Sequence, residues 1–193
     1  TATDADGAYA FAGLRPGEMR VRFTLDNGCV FTDYNEKGSI IRQTDSNVGE
    51  TDLFAPRAGE VRADVSAGSL TAGRVGDRVW VDENGNGLQD SGEPGLENVT
   101  VILIRVAADY SESECRRTVT DAAGRYRFDF VRPGTYRVQF ELPAGYAPTV
   151  FLADYPTINS KLETSTKRPG LTATFQVRSG ETYLAADAGV VEE

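Results

Sequence analysis

Apolar and polar residues alternate along much of the chain with a period of two. From residue 126, the sequence YRFDFV places Tyr126, Phe128 and Phe130 on one face of a strand. From residue 136, YRVQFEL repeats this alternation. Such a pattern is typical of β-strands with one buried face. The RPG between the two runs predicts a tight turn, because proline fixes φ and glycine permits a positive φ.

Other segments extend the same picture. VTVILIRV, residues 99–106, is apolar at both alternations, which indicates a central strand covered on both sides. TATFQV and TYLAADAG complete a set of about seven short strands, and no segment has the 3.6-residue period of an amphipathic helix. The sequence therefore predicts an all-β sandwich.

The chain contains an internal repeat. Residues 3–32 align with residues 120–149 without a gap, and fifteen of the thirty positions are identical. Further along, FAPRAGE aligns with FQVRSGE at a shift four residues larger. The repeat predicts two tandem units: residues 1–72 as the later part of a first sandwich, and residues 73–193 as a complete second one. We expect preceding chain or a neighbouring subunit to complete the first unit. The absence of an initial methionine suggests a fragment or a processed product.

One polar stretch interrupts the strands: DENGNGLQDSGE, residues 82–93. It matches D-x-[DN]-x-[DN]-G-x5-E, the calcium loop of an EF-hand, at every specified position. Pro94 follows directly, where an EF-hand or a dockerin would begin a helix, which argues against both. The alternative interpretation is that these residues only form turns. The predicted Ca²⁺ ligands are the side chains of Asp82, Asn84 and Asn86, the backbone carbonyl of Leu88, Asp90 directly or through water, and both carboxylate oxygens of Glu93.

Composition narrows the possible functions. A net charge of −9 argues against nucleic-acid binding. The chain has no histidine, so the usual general base and the commonest zinc ligand are absent, and we predict no enzyme. Cys29 and Cys115 are too few for a disulfide framework, and whether they pair is left open. Trp80 is predicted to lie in the core beneath the loop.

The ordered motifs VGDRVWVDENGNGLQDSGEPGLENVTVILI and TDAAGRYRFDFVRPGTYRVQFELPAGY resemble the B-type repeats of bacterial serine-aspartate-repeat adhesins. These are relatives of the collagen-adhesin B domain and have a prealbumin-like, reverse immunoglobulin-like sandwich. The resemblance implies a calcium-stabilised stalk module at a microbial surface or outside the cell, whose partners are neighbouring repeats or subunits. It also implies further calcium sites, with Asp77, Asp121 and Asp154 as candidates, although Asp121 fits a turn cap better.

The sequence also departs from the family pattern. Some relatives carry a Lys–Asn crosslink with the lysine in the first strand, but GRVGDRVWVD contains no lysine, so we predict no crosslink. Two alternative functions remain open. The chain could be a subunit of an extracellular filament assembled by strand pairing, or it could bind a carbohydrate or protein ligand through the loops at 33–53 and 154–170. Tyr34 and Tyr155 are the only aromatic candidates for such a ligand site.

Overall fold

The computed structural model describes residues 1–32, 41–43, 48–150, 160–162 and 169–193. These residues form strands, turns and bends without any helix, which confirms the all-β prediction. Among them there is accordingly no helix long and apolar enough to cross a membrane. The candidate residues Tyr34, Asp154 and Tyr155 lie outside the described part of the chain.

The chain divides into two compact units. The first contains Thr1–Asn27 and Phe31–Ser69, and the second contains Gly28–Val30 and Leu70–Glu193. The structural division therefore lies slightly before the 72/73 boundary that the repeat predicts. In the first unit, β4 pairs antiparallel with both β1 and β3. β2 and β5 form a separate two-stranded sheet, and the division between the units lies within both strands. The first five strands are β1 (Arg22–Thr24), β2 (Cys29–Phe31), β3 (Ile41–Gln43), β4 (Val48–Thr51) and β5 (Ser69–Thr71).

The second unit contains two sheets. Its strands are β6 (Gly73–Val81), β7 (Thr100–Val106), β8 (Glu112–Val119), β9 (Arg125–Val131), β10 (Gly134–Glu141), β11 (Tyr146–Pro148), β12 (Phe175–Val177), β13 (Thr182–Tyr183) and β14 (Ala188–Glu192). One sheet has the order β12-β10-β7-β8. The other has the order β11-β14-β6-β13, with β9 also paired to β6. β6 runs parallel to β13 and β14 and antiparallel to β9, so the first long strand of the unit lies beside its last strand.

Apolar residues from both sheets form one core, which makes the second unit a sandwich. β7 lies between β10 and β8, as expected for a strand that is apolar at both alternations. The core comprises Val75, Val79, Val99, Val101, Leu103, Tyr126, Phe128, Val131, Tyr136, Val138, Phe140, Leu162, Val177, Ala186, Ala188 and Val190.

The prediction for β9 was wrong at its end. Tyr126 and Phe128 are buried, but the next buried residue is Val131 and not Phe130. The φ angle of Phe130 is 55°, in the left-handed region. The register between β9 and β6 shifts at the same place, so the alternation of faces changes before the strand ends. A uniform period of two cannot predict such a bulge.

The strand count also differs from the prediction. The described residues of the second unit form nine strands, β6 to β14, against about seven predicted. TYLAADAG forms two strands, because residues 184–187 leave the pairing with β6. At that point the Ala186 carbonyl accepts a hydrogen bond of 2.5 Å from the buried Tyr126 hydroxyl. A buried side chain thus satisfies a backbone group that the sheet leaves unpaired.

Candidate metal centre

The loop at 82–93 is closed at its base by backbone pairing. The Val81 N–H donates to the Pro94 carbonyl at 2.9 Å, and the Leu96 N–H donates to the Val79 carbonyl at 2.9 Å. Trp80 forms an antiparallel bridge with Gly95 between these bonds. The chain therefore leaves β6, makes the loop and returns antiparallel to β6. This explains how an EF-hand-like sequence can exist between strands without flanking helices.

Asp82 is the buried anchor of the loop, at 2 % exposure. Its Oδ2 accepts hydrogen bonds from the Gly87 N–H at 2.7 Å and from the Thr149 hydroxyl at 2.5 Å. Its Oδ1 accepts from the Asn86 N–H at 3.2 Å. Its own N–H donates to the Val190 carbonyl in β14 at 2.7 Å. Asp82 therefore links the end of β6, the curl of the loop, the last strand and the segment after β11.

Asn84 and Asn86 converge on Asp90. Both side-chain amides donate to Asp90 Oδ2 at 2.8 Å. These two hydrogen bonds stabilise the carboxylate and lower the pKa of Asp90 below its usual range. The Asn84 Oδ1 accepts from the Asn86 N–H at 3.0 Å, and the Asn86 Oδ1 accepts from the Leu88 N–H at 2.7 Å. The loop is thus held by side-chain oxygens bonded to backbone N–H groups at every second residue.

Glu93 closes the loop and is only 7 % exposed. Its Oε2 accepts from the Asp90 N–H at 2.8 Å, whereas its buried Oε1 finds no hydrogen-bond donor among the described residues. Burial raises the pKa of Glu93, the backbone N–H of Asp90 lowers it, and the charges of Asp82 and Asp90 raise it. A buried carboxylate oxygen without a donor is unfavourable unless a proton or a cation neutralises it.

The structure places five predicted ligand side chains in one loop, but it does not gather them as a finished cation cage. No group of three or more Cys, Asp or Glu residues in the described part of the chain lies close enough to hold a metal ion. The amide N–H groups of Asn84 and Asn86 point towards Asp90, where their oxygens would be needed for a cation. A turn about the soft terminal torsion of each side chain exchanges oxygen and nitrogen, and it also breaks the two hydrogen bonds that these oxygens accept from the Asn86 and Leu88 N–H groups. With that change, the all-oxygen set and the unpartnered Glu93 Oε1 fit a calcium ion.

Two supporting residues, Arg78 and Thr149, were not predicted from the sequence. The guanidinium of Arg78 donates to the Glu93 carbonyl at 2.8 Å and so fixes the end of the loop. Thr149 binds Asp82, and its recurrence as Thr32 in the repeat was the only sequence signal for it. At Gly87, the glycine that the loop motif specifies, φ is 78° and an added Cβ would lie 2.5 Å from the Val150 carbonyl oxygen, so this position requires glycine.

A second buried acidic position lies outside the loop. Asp187 is fully buried, and neither of its carboxylate oxygens makes a hydrogen bond of regular geometry with the described residues, although the Asp77 carboxyl and the Arg78 N–H lie near it. Burial, followed by the neighbouring Asp77 carboxyl, raises the pKa of Asp187 to about 9, whereas Lys161 acts in the opposite direction. Only the fold brings Asp77 in β6 together with Asp187, just before β14. Asp77 was already a candidate for a cation site from the sequence, whereas Asp187 was not.

Three smaller predictions can also be compared with the structure. Trp80 is fully buried, as predicted. Asp121 caps a turn, because its Oδ1 accepts from the N–H groups of Ala123 and Arg125 at 2.9 and 2.8 Å. Cys29 and Cys115 are both free thiols, so the pairing left open by the sequence is not formed.

Comparison with known proteins identifies the family. Residues 73–190 match the model of the SdrD B-like domain. The chain is 37 % identical over 149 residues to serine-aspartate repeat-containing protein E of Staphylococcus aureus strain USA300, covering 77 % of the chain and 12 % of that relative. It is also 37 % identical to the bone sialoprotein-binding protein of S. aureus strain MRSA252, covering 77 % of the chain and 13 % of the relative. The chain thus spans about an eighth of the length of these relatives.

Solved structures with a similar arrangement include two pilins. The shaft pilin SpaA of Lactobacillus rhamnosus GG aligns at a TM-score of 0.42 and 13 % identity, over 64 % of this chain and 52 % of the pilin. GBS52, the minor pilin of Streptococcus agalactiae, aligns at a TM-score of 0.40 and 14 % identity, over 93 % of this chain and 84 % of the pilin. On the family match and the sequence identity to the serine-aspartate-repeat proteins, this chain belongs to the SdrD B-like domain family, and it is an extracellular, cell-surface repeat module of the adhesin type.

Proposed function

We propose that the second unit is a non-catalytic spacer that calcium stabilises, and that it supports adhesion by holding other parts of a surface protein away from the cell. Its partners are neighbouring repeats or subunits. The observation that carries the proposal is Glu93 Oε1, a buried carboxylate oxygen without a hydrogen-bond donor among the described residues, at the closing position of a loop that matches the calcium pattern. A dication at the loop would neutralise that oxygen together with the charges of Asp82 and Asp90.

The position of the loop explains how ion binding would act on the whole sandwich. Asp82 bonds to Val190 in β14 and to Thr149 beyond β11, so an ordered loop also holds the first and last strands of the unit together. An ion that binds only the folded loop stabilises the fold by RT ln(1 + [L]/Kd), or about 2.7 kcal/mol at a hundredfold excess over Kd. Extracellular calcium modules have Kd values of about 10⁻⁴ to 10⁻³ M. The proposed spacer would therefore be rigid outside the cell and looser where calcium is scarce.

We expect calcium to raise the thermal unfolding temperature by several degrees relative to the protein in chelator. Fluorescence of Trp80, the single tryptophan, follows unfolding of the second unit. Magnesium at the same concentration should have a smaller effect, because it requires a stricter octahedral geometry than a flexible loop provides. An unfolding temperature that is the same in calcium and in chelator would contradict the proposal.

The variant Glu93→Gln separates the metal site from the fold. It keeps the shape of the side chain but removes the buried charge and the two-oxygen ligand. We expect it to unfold no earlier than the wild type in chelator and to lose the calcium response. Glu97→Gln, at an exposed glutamate four residues away, should keep the full calcium response. If Glu93→Gln also kept that response, the loop would not be the calcium site.

A further inference from the structure

A cleft lies on the outer face of the β12-β10-β7-β8 sheet, at the end where β7 leads into β8. Its volume is about 550 Å³, which is within the usual range for small-molecule sites. Ala107, Ala108 and Tyr110 line it from the β7–β8 connection, and Thr135 and Arg137 line it from β10. None of its described lining residues belongs to the loops at 33–53 and 154–170, so this cleft was not predicted from the sequence.

The floor of the cleft carries a paired acid and base. Arg137 alternates with the core residues of β10 and therefore points away from the core. Its Nη1 lies 3.1 Å from Glu112 Oε1, and both side chains are partly buried. Thr135 lies beside them on the same face, because its partner Val106 in β7 pairs with Glu112 in β8. The carboxylate balances the charge of the guanidinium, so the floor suits a neutral polar ligand better than an ion.

The Arg137 guanidinium has a donor that the fold does not use. Its Nε is buried and has no hydrogen-bond partner among the described residues. A buried N–H without an acceptor is unfavourable, and an oxygen of a ligand or of a water molecule would satisfy it. Beside it, the Glu112 carboxylate has about four lone-pair sites, which its ion pair does not exhaust. The floor can therefore donate to and accept from the same ligand at adjacent positions, as hydroxyl groups require.

Tyr110 gives the cleft an aromatic wall. It is 86 % exposed, and its φ of 63° lies in the left-handed region, which a tyrosine adopts only at an energetic cost. The connection holds this conformation, because the Tyr110 N–H donates to the Ala107 carbonyl at 3.0 Å. In the same turn, Asp109 Oδ1 accepts from the N–H and the hydroxyl of Ser111 at 3.0 and 2.6 Å. An exposed ring on a strained, hydrogen-bonded turn beside a cleft is typical of a binding position.

We propose that this cleft binds a neutral saccharide. The apolar face of a sugar ring packs against Tyr110, and the hydroxyls of the sugar accept from Arg137 Nε–H and donate to Glu112. A neutral saccharide fits better than an acidic one because Glu112 already balances the charge of Arg137. This binding adds a ligand to the spacer role and does not involve the loop at 82–93.

The test titrates the full chain, labelled with ¹⁵N, with neutral di- and trisaccharides of glucose, galactose, mannose and N-acetylglucosamine. We expect at least one of them to shift the Arg137 Nε–H resonance together with the backbone N–H resonance of Tyr110. Tyr110→Ala should weaken this binding by at least about tenfold, because it removes the packing surface. Arg137→Lys keeps a positive charge opposite Glu112 but has no Nε–H donor, and it should also weaken binding, as measured at the Tyr110 resonance.

Val119→Ala is the control, because Val119 is 52 % exposed and lies at the other end of β8. It should bind the saccharide as tightly as the wild type. If no saccharide shifted the two resonances, the cleft would hold only water and the proposal would be overturned. Equally tight binding by Tyr110→Ala would overturn it too. A larger shift with sodium acetate than with every neutral saccharide would make the cleft an anion site, which also contradicts the proposal.

Discussion

Replacing Gly124 with alanine is expected to lower the unfolding free energy of the second unit by about 3–5 kcal/mol. The φ angle of Gly124 is 73°, which an L-residue adopts at a cost of about 1–2 kcal/mol. A Cβ would also lie 2.0 Å from the Val79 carbonyl oxygen and 2.8 Å from the Gly95 Cα. These are backbone atoms of the strand and of the returning chain after the loop. They cannot move aside without weakening the 2.8 Å hydrogen bond from the Val79 N–H to the Gly124 carbonyl.

The repeat supplies the control for this prediction. Gly7 occupies the equivalent position in the first unit, with a φ of 78° and no neighbouring atom within 4 Å of an added Cβ. We expect Gly7→Ala to leave denaturant unfolding of the second unit, monitored through Trp80, unchanged. Gly124→Ala should shift the midpoint strongly to lower denaturant at an unchanged m-value. If Gly124→Ala left the denaturation midpoint unchanged, Gly124 could not lie as close to the backbone of Val79 and Gly95 as the structure shows.

Asp187 is expected to make the second unit less stable as the pH rises. Its folded pKa of about 9 lies above the usual value of 3.8, so the folded protein holds a proton that the unfolded chain releases. The resulting stabilisation is fully present below about pH 4 and is lost by about 1.4 kcal/mol per pH unit as the pH rises towards 9. Lys161 opposes this only at higher pH, because burial lowers its pKa and the unfolded chain then holds the extra proton.

Asp187→Asn tests this assignment, because the amide keeps the shape of the side chain and cannot ionise. The stability of this variant relative to the wild type should increase by about 3–4 kcal/mol between pH 5 and pH 8. Denaturant unfolding followed through the fluorescence of Trp80 gives the unfolding free energies of both proteins at pH 5 and at pH 8. Glu97→Gln, at an exposed position, should show no comparable change with pH. If the difference in unfolding free energy between Asp187→Asn and the wild type were the same at pH 5 and pH 8, Asp187 would already be ionised in the folded protein at both pH values.

Much of the fold follows from local sequence. The alternation in YRVQFEL correctly predicts Tyr136, Val138 and Phe140 as core residues. Successive side chains of a strand point to opposite faces of the sheet, so every second residue faces the core. The loop at 82–93 is equally local, since its N–H groups bond to side-chain oxygens two to five residues away. These short-range bonds determine the curl of the loop.

The rest of the candidate site depends on contacts between distant parts of the chain. Thr149 bonds to Asp82 across 67 residues, and no spacing in the sequence links them. Asp187 carries no sequence signal, because its altered pKa arises from burial and from Asp77 more than a hundred residues earlier. The bulge at Phe130 likewise reflects how β9 must fit β6. Each feature depends on sheet order, which local alternation does not encode.

The two copies of the repeat separate these contributions most clearly. By itself, the sequence determines the turns at Asp4 and Asp121 in the two copies of the repeated segment, because each turn needs only residues up to four positions away. It does not determine whether that segment becomes a strand. Residues 125–131 form β9 where β6 pairs with their backbone N–H and C=O groups, whereas the equivalent residues 8–14 are not assigned to a strand in the part of the chain that the structure describes. Only the tertiary structure decides this, because a strand is stabilised by hydrogen bonds to a neighbour and not within itself.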